Sequence, residues 1–266
     1  MSNGKTILGL VGSPNKDGLT NHLVDAALKG AREAGVKVEL VQMSDYVVDA
    51  CLDCTAPTCS KDLKCSYNDE NMEYLGERIL NCSGFVLGTP VYWGDTSGMV
   101  KYFITKMYRI YAASGPFEGL PSLGIAIAGG SGNGLLTGLL PIYHLFRIMK
   151  MRALDPLPVT RFNLNQTIDI ATESGRLIVQ MAEDRHPFKR REESLLLYDR
   201  LPFLGKNLGD ERRLLTAIIS AAIPEERRHE IIGDLEKADS LARSGKIVES
   251  LAEINKVYDS CMRILA

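Results

Sequence analysis

"KTILGLVGSPNKDGLTNHLVDAALKGAREAGVKVELVQM", residues 5–43, decides the fold. Its opening, "KTILGLVG" (5–12), is a short apolar run ending in glycine, the pattern of a strand buried on both faces. In "TNHLVDAALKGAREAG" (20–35), Leu23, Ala26, Ala27, Leu28 and Ala31 recur at helical spacing, and Gly35 closes the run. "VKVELVQM" (36–43) reads as a second strand. Strand, helix and strand in so little chain make a β-α-β unit, and such units build right-handed parallel sheets.

The alternation continues. "NMEYLGERILNCSG" (71–84) reads as a helix, "FVLGTPVYW" (85–93) starts as a third strand, and "SGMVKYFITKMYRIY" (97–111) is a helix. "LPSLGIAIAGG" (120–130) is a fourth strand, followed by a largely helical "NGLLTGLLPIYHLFRIMKM" (133–151). "LDPLPVTRFNL" (154–164) carries a fifth, proline-limited edge strand, and "IDIATESGRLIVQMAED" (168–184) is its helix. Five strands alternating with helices predict an α/β domain over residues 1–186, a doubly wound parallel sheet.

Composition shifts near "HPFKRREE" (186–193), and residues 187–266 read as an all-helical extension. Asp210 is a candidate N-cap, Pro224 opens one helix, and Ser244-Gly245 closes it. Ile247, Leu251, Ile254, Tyr258, Cys261 and Leu265 share one helical face, which makes Cys261 a core thiol. The extension holds 14 basic and 14 acidic residues, so its charge suits no polyanion. Packing on the sheet or an oligomer contact is the simpler expectation for it; a lid over a site is the alternative.

The whole chain has 45% hydrophobic and 24% charged residues and a net charge of −2. That balance excludes long-range attraction to nucleic acid or an anionic membrane. No apolar run reaches the ~18–20 residues that span a bilayer. "LLTGLLPIYHLFRIM" is broken by Pro141, His144 and Arg147. The N-terminal apolar run is too short for a signal peptide, so a cytoplasmic location with reduced thiols is expected.

Three loops fall at the carboxyl ends of strands, where open α/β sheets hold ligands. In "GSPNKDGLT" (12–20), Ser13, Asn15 and Thr20 offer donors, and Gly18 permits close approach at a helix N-terminus. It is a phosphate nest or a plain capped turn, and it lacks both the GxxxxGK[ST] and GxGxxG patterns. "GTPVYWGDTSG" (88–98) holds Tyr92 and the sole tryptophan, Trp93, which are poor core material but good walls for a flat ring. "AGGSGNG" (128–134) has four glycines in seven residues, whose bare backbone can approach a planar ligand.

In this order, "GSPNKDGLT", "GTPVYWGDTSGMVKYFITK" and "AGGSGNG" resemble the NADPH-dependent FMN reductase family of flavodoxin-like proteins, and within it the iron–sulfur flavoproteins. The resemblance covers about residues 5–184 and does not explain the helical extension. It implies a sheet of order 2-1-3-4-5 and bound FMN. Ser13, Asn15, Gly18 and Thr20 would hold the phosphate. Pro90, Val91, Tyr92, Trp93 and Gly94 would line one side of the ring, and Gly130, Ser131, Gly132 and Asn133 the other. The family often has Arg where Asn15 stands and Asn where Leu19 stands; Lys16 is the candidate for the missing charge. The resemblance also implies a homo-oligomer.

"CLDCTAPTCSKDLKC" (51–65) holds four of the six cysteines. In relatives a compact cysteine run lies at this point and carries a cluster, usually spaced C-x2-C-x2-C before a last cysteine. Here the set is Cys51-x2-Cys54-x4-Cys59-x5-Cys65, with Pro57 in the widened gap. Four thiolates suit a [4Fe–4S] cluster; zinc, or free and redox-active thiols, are the alternatives. Cys82, at a helix end, reads as packing.

Two function classes follow. One is an NAD(P)H-dependent FMN oxidoreductase delivering electrons to a small-molecule acceptor, with Tyr92 and Asp95 as the candidate proton donors by position. The other is a carrier passing single electrons to a redox-protein partner through FMN and a cluster. His22, His144, His186 and His229 lie in helical or linker segments and read as surface or packing residues.

Overall fold

A computed structural model of the chain describes residues 4–54, 58–205 and 207–265. The deciding unit forms as read: β1 (Thr6–Val11), α1 (Leu19–Glu33) and β2 (Lys37–Gln42). Next come α2 (Thr58–Asp62), α3 (Glu70–Asn81), β3 (Gly84–Tyr92), β4 (Asp95–Thr96) and α4 (Gly98–Tyr111). β5 (Pro121–Ala128), α5 (Leu135–Ile148), β6 (Arg152–Ala153), β7 (Leu157–Thr160) and α6 (Leu164–Glu183) complete the sheet. The extension is α7 (Arg191–Arg200), α8 (Leu208–Ala221), α9 (Glu225–Arg243) and α10 (Ile247–Leu265).

The sheet runs β2-β1-β3-β5-β6, with β7 also on β5 and β4 paired to β3. Taking β6 and β7 as one interrupted strand, the parallel order is 2-1-3-4-5, the flavodoxin-like arrangement. The strand count is seven rather than five, for two physical reasons. The end of β3 folds back as a hairpin and adds the antiparallel β4. The fifth strand breaks where Pro156, which has no N–H, interrupts the ladder.

Register shows the break as an extra residue: Ser122 pairs Ala153 and Ile125 pairs Leu157, so Leu123 and Gly124 face Leu154, Asp155 and Pro156. The Tyr143 hydroxyl spans the gap. It accepts from Gly124 N at 3.1 Å and donates to Leu154 O at 3.0 Å. Burial pushes that phenol well above the usual tyrosine range.

One face of the sheet packs on α1 and α6, around Ile7, Leu23, Leu28, Val86 and Ile178. The other packs on α3, α4 and α5, around Leu8, Phe85, Phe103 and Phe146. This second core continues into the extension through Tyr198, Leu215, Ile219, Val257, Tyr258 and Cys261. The extension therefore shares a core with the sheet. Within α10, Ile254, Tyr258 and Cys261 are buried as read, while Ile247 is exposed. The N-cap of α8 is Asn207; Asp210 sits three residues on and closes a capping box with it, which corrects the reading of Asp210 as the cap. Among the described residues no helix is long and apolar enough to cross a membrane.

Candidate functional site

All three loops lie at the carboxyl edge of the sheet, and the structure bonds them to one another. The first winds on itself: Asn15 N donates to Ser13 Oγ at 3.2 Å, Asp17 N to Asn15 Oδ1 at 3.1 Å, and Gly18 N to Asn15 O at 3.2 Å. Ser13 and Thr20 are buried beneath it. Gly18 leaves α1 without a side-chain cap. The neighbouring helices differ: Ser97 caps α4, and Glu211 accepts from the first amides of α5. The start of α1 presents amide donors and a positive dipole end to an anion. The Lys16 ammonium pairs with Asp45 at 2.6 Å, both side chains about half exposed.

The second loop is a two-residue hairpin in which Tyr92 pairs with Asp95 across Trp93 and Gly94. Its φ values of +56° and +77° are the positive pair of a type I′ turn. Glycine tolerates this; tryptophan there costs roughly 1 kcal/mol or more. Trp93 is also fully exposed, at 105%. A strained, exposed aromatic marks a contact surface rather than a packing need. Tyr92 is half-exposed beside it. Asp95 accepts from Thr96 N at 2.7 Å and pairs with Lys101 at 2.8 Å, so its carboxylate anchors the hairpin. Pro90 is buried within β3, and Val91 packs under Gly134 and Gly138 of the third loop and α5. These two support the wall from behind.

In the third loop Gly132 N donates to Gly129 O at 3.0 Å, and Gly130, Ser131 and Asn133 are exposed. A Cβ added at Gly94, Gly98, Gly129 or Gly130 would meet nothing within 4 Å. Bare backbone thus faces open space on both the second and third loops, as a flat ring requires. Thr137 Oγ1 ties them by donating to Gly94 O at 2.5 Å. Ser97 Oγ ties the second loop to the first through Gly12 O. Ser97, Thr137 and Glu211 are loop-tying positions that the sequence reading missed. For Ser97 a signal existed, a serine opening a helical run. Thr137 and Glu211 carried none, since their partners lie far away in sequence.

Cys51, Cys54, Cys59 and Cys65 line one cavity of 250 Å³, together with Lys106 and Arg109. Cys54 Sγ lies 3.8 Å from Cys59 Sγ, and Ser66 Oγ is 3.3 Å from Cys59 Sγ. Pro57, in the widened gap, lies outside the described residues. Among the described residues no three metal-binding side chains converge as one ion would need. Tetrahedral zinc draws its thiolates to ~2.3 Å from a single point. Four thiols on one lined cavity are a donor set that suits a [4Fe–4S] cluster and zinc alike. Lys106 is buried and paired with Asp69, which also caps α3 and accepts from Asp49 N at 3.1 Å. Arg109 pairs with Asp53 at 2.6 Å. Both place positive charge beside the thiols.

Cys82 is buried at the end of α3, and burial pushes its thiol up to about 12. Cys261 is buried in the extension and likewise raised by burial.

Comparison with known proteins agrees with this geometry. An iron–sulfur flavoprotein of Methanocaldococcus jannaschii is 29% identical over 147 residues, covering 54% of this chain and 73% of that one. An iron–sulfur flavoprotein of Archaeoglobus fulgidus is 25% identical over 207 residues, 76% of this chain and 91% of that one. Among solved structures, a flavone reductase aligns with a TM-score of 0.52 at 17% identity, over 70% of this chain and 66% of that one, a likeness of fold. Residues 6–157, more than half of the chain, match a family described as NADPH-dependent FMN reductase. With that match laid over the three bonded loops, the chain belongs to the NADPH-dependent FMN reductase family.

Proposed function

We propose that the chain binds FMN without a covalent link in the cleft between the three loops, and passes electrons from NADH or NADPH to a small acceptor. The observation that carries this reading is the mutual bonding of the loops at the point where doubly wound sheets hold ligands. Ser13, Asn15, Gly18 and Thr20, at the uncapped start of α1, would take the phosphate. Tyr92, Trp93 and Gly94 would cover one side of the ring, and the backbone of Gly130, Ser131, Gly132 and Asn133 the other. Bound there, the flavin supplies two-electron uptake from a nicotinamide and release to an acceptor. The chain's own work is to orient the ring and exclude water from it. Tyr92, whose hydroxyl is not taken by a backbone or carboxylate partner in the hairpin, is placed to hold a proton at the ring edge.

The cavity lined by all four cysteines favours a second reading, an electron carrier with a [4Fe–4S] cluster serving a redox-protein partner. Lys106 and Arg109, each paired with a carboxylate, would then stand beside the thiolates.

The flavin reading is tested by denaturing purified protein and identifying what is released. A flavin monophosphate is expected. Colourless protein that takes up no FMN on reconstitution overturns it.

A further inference from the structure

We infer that the C-terminal extension completes the flavin cleft, and that Glu211 is the positioning residue for its third loop. The inference rests on the FMN reading above. Glu211 stands in the first turn of α8 and is only 6% exposed. Its two carboxylate oxygens accept from Gly134 N at 2.9 Å and Leu136 N at 2.8 Å, the acceptor-only pattern of a carboxylate. Those amides begin α5, whose N-cap Gly134 has no side chain of its own to offer. A negative group on a helix N-terminus, bonded to its amides, is both charge-assisted and aligned with the dipole.

Two further contacts reach the same loop independently. The Tyr258 hydroxyl of α10 donates to Ser131 O at 2.8 Å, and its ring lies 4.3 Å under the Arg212 guanidinium. Leu215 of α8 packs so closely on Gly132 that a Cβ there would come within 2.7 Å of it. Three side chains of two extension helices thus grip Ser131, Gly132 and Gly134. Glu211 is in turn held by the capping box of Asn207 and Asp210 that starts its helix.

The physical need is clear from the loop's composition. Glycine-rich backbone loses much entropy on ordering, and a loop ordered before binding gives tighter binding. The brace leaves the open backbone of Gly129 and Gly130 facing the cleft. It also sets an anion behind the loop, which opposes added negative charge on a ring held in front of it.

The experiment uses the full chain in four forms: wild type, Glu211→Gln, Tyr258→Phe and Arg213→Gln. Arg213 bonds Asp239 at 2.7 Å between two helices of the extension, so its variant is the control that loosens the helices. Apoprotein is titrated with FMN, the flavin midpoint potential is measured, and circular dichroism reports folding. Glu211→Gln is expected to raise the FMN Kd at least tenfold and to move the potential positive. Tyr258→Phe is expected to raise Kd at least threefold. Arg213→Gln is expected to lower Tm while leaving Kd and potential in place. A folded Glu211→Gln variant that binds FMN within twofold of wild type, at an unmoved potential, overturns the inference. So does an Arg213→Gln variant that loses FMN to the same degree. If Glu211→Gln does not fold, an unchanged Kd in Tyr258→Phe overturns it. Wild type that binds no FMN at all defeats the functional reading first, and this inference with it.

Discussion

Ser97 Oγ donates to the carbonyl oxygen of Gly12 at 2.6 Å, joining two loops that lie 85 residues apart in the chain. Ser97 Oγ also accepts from Val100 N at the start of α4, and Ser97 N donates to Thr89 Oγ1 at 3.0 Å. One buried serine therefore caps a helix, ends a hairpin and fixes the first loop against its neighbour.

Replacing Ser97 with Ala removes the cap and leaves the Gly12 carbonyl without that donor. Loss of a cap costs ~1 kcal/mol, and an unsatisfied buried acceptor adds ~1–3 kcal/mol. Urea unfolding should show a loss of about 2–3 kcal/mol, with weaker FMN binding by the folded fraction. Unaltered stability would mean that the loops are held by other contacts.

Trp93 is the sole tryptophan, and its ring stands free in solvent at the hairpin tip. Tryptophan fluorescence of the apoprotein should therefore peak at long wavelength, and FMN should quench it on binding. Emission that stays constant at saturating FMN places Trp93 away from the ring. Trp93→Gly removes the strained φ as well as the aromatic wall. It should hold or raise stability while lowering FMN affinity, a split that a purely structural residue would not produce.

Arg213 binds Asp239 through two bonds of 2.7 Å and thereby holds its carboxyl below the usual carboxylate range. A value lowered by folding adds stability above the unfolded value, ~3.9 for aspartate, and that stability is lost as pH falls from there through the folded value. The pair is about a third exposed, so screening limits it to roughly 1 kcal/mol. Asp239→Asn should be slightly less stable at pH 7 and lose stability less steeply than wild type below about pH 4. Parallel pH profiles for the two proteins would show that the pair adds nothing.

Much of the fold and cleft was legible because it is local. The β-α-β period of residues 5–43 and the glycines of 128–134 are read within short windows. The fifth strand was half legible: its prolines announced a limited edge strand, but not the break at Pro156 that the Tyr143 hydroxyl bridges. Asp210 looked like a cap because acidic residues favour helix starts, yet Asn207 wins as its side chain accepts from the Asp210 amide at 2.9 Å. Glu211 was illegible, since its partners sit 75 and 77 residues away and no spacing rule links them. The Lys16–Asp45 pair was illegible for a related reason: Asp45 lies just past the end of β2.

The extension also bears on assembly. Leu208, Ile232, Ile247 and Val248 are exposed apolar residues on its helices, against a balanced charge. Burial against a second copy would remove that area from water. Light scattering at micromolar concentration is expected to report a homo-oligomer, and a monomer would reject the idea.

The cysteines give the sharpest test, because the chain carries its own controls. Cys51, Cys54 and Cys59 are half-buried around the cavity, and Cys65 closes it from within. Cys82 and Cys261 lie in apolar surroundings that raise their thiols, so they neither react nor bind metal readily. Protein purified without oxygen should hold about four irons per chain if the set carries a [4Fe–4S] cluster. Changing Cys51, Cys54, Cys59 or Cys65 to Ser should then sharply reduce the iron, while Cys82→Ala and Cys261→Ala should keep it. In iron-free protein at pH 8, alkylation should label the cavity cysteines and spare the other two. The 3.8 Å between the Cys54 and Cys59 sulfurs is the edge of a tetrahedron with ~2.3 Å zinc–sulfur bonds, and a cluster would have to part them, so the metal found decides between the two. A set closed by zinc would bring one metal per chain and no iron, and would need all four sulfurs drawn to one point. Protein that holds no iron when prepared anaerobically, and takes none on reconstitution, ends the cluster reading. Electrons would then leave the flavin directly for a small acceptor, with the thiols as bystanders.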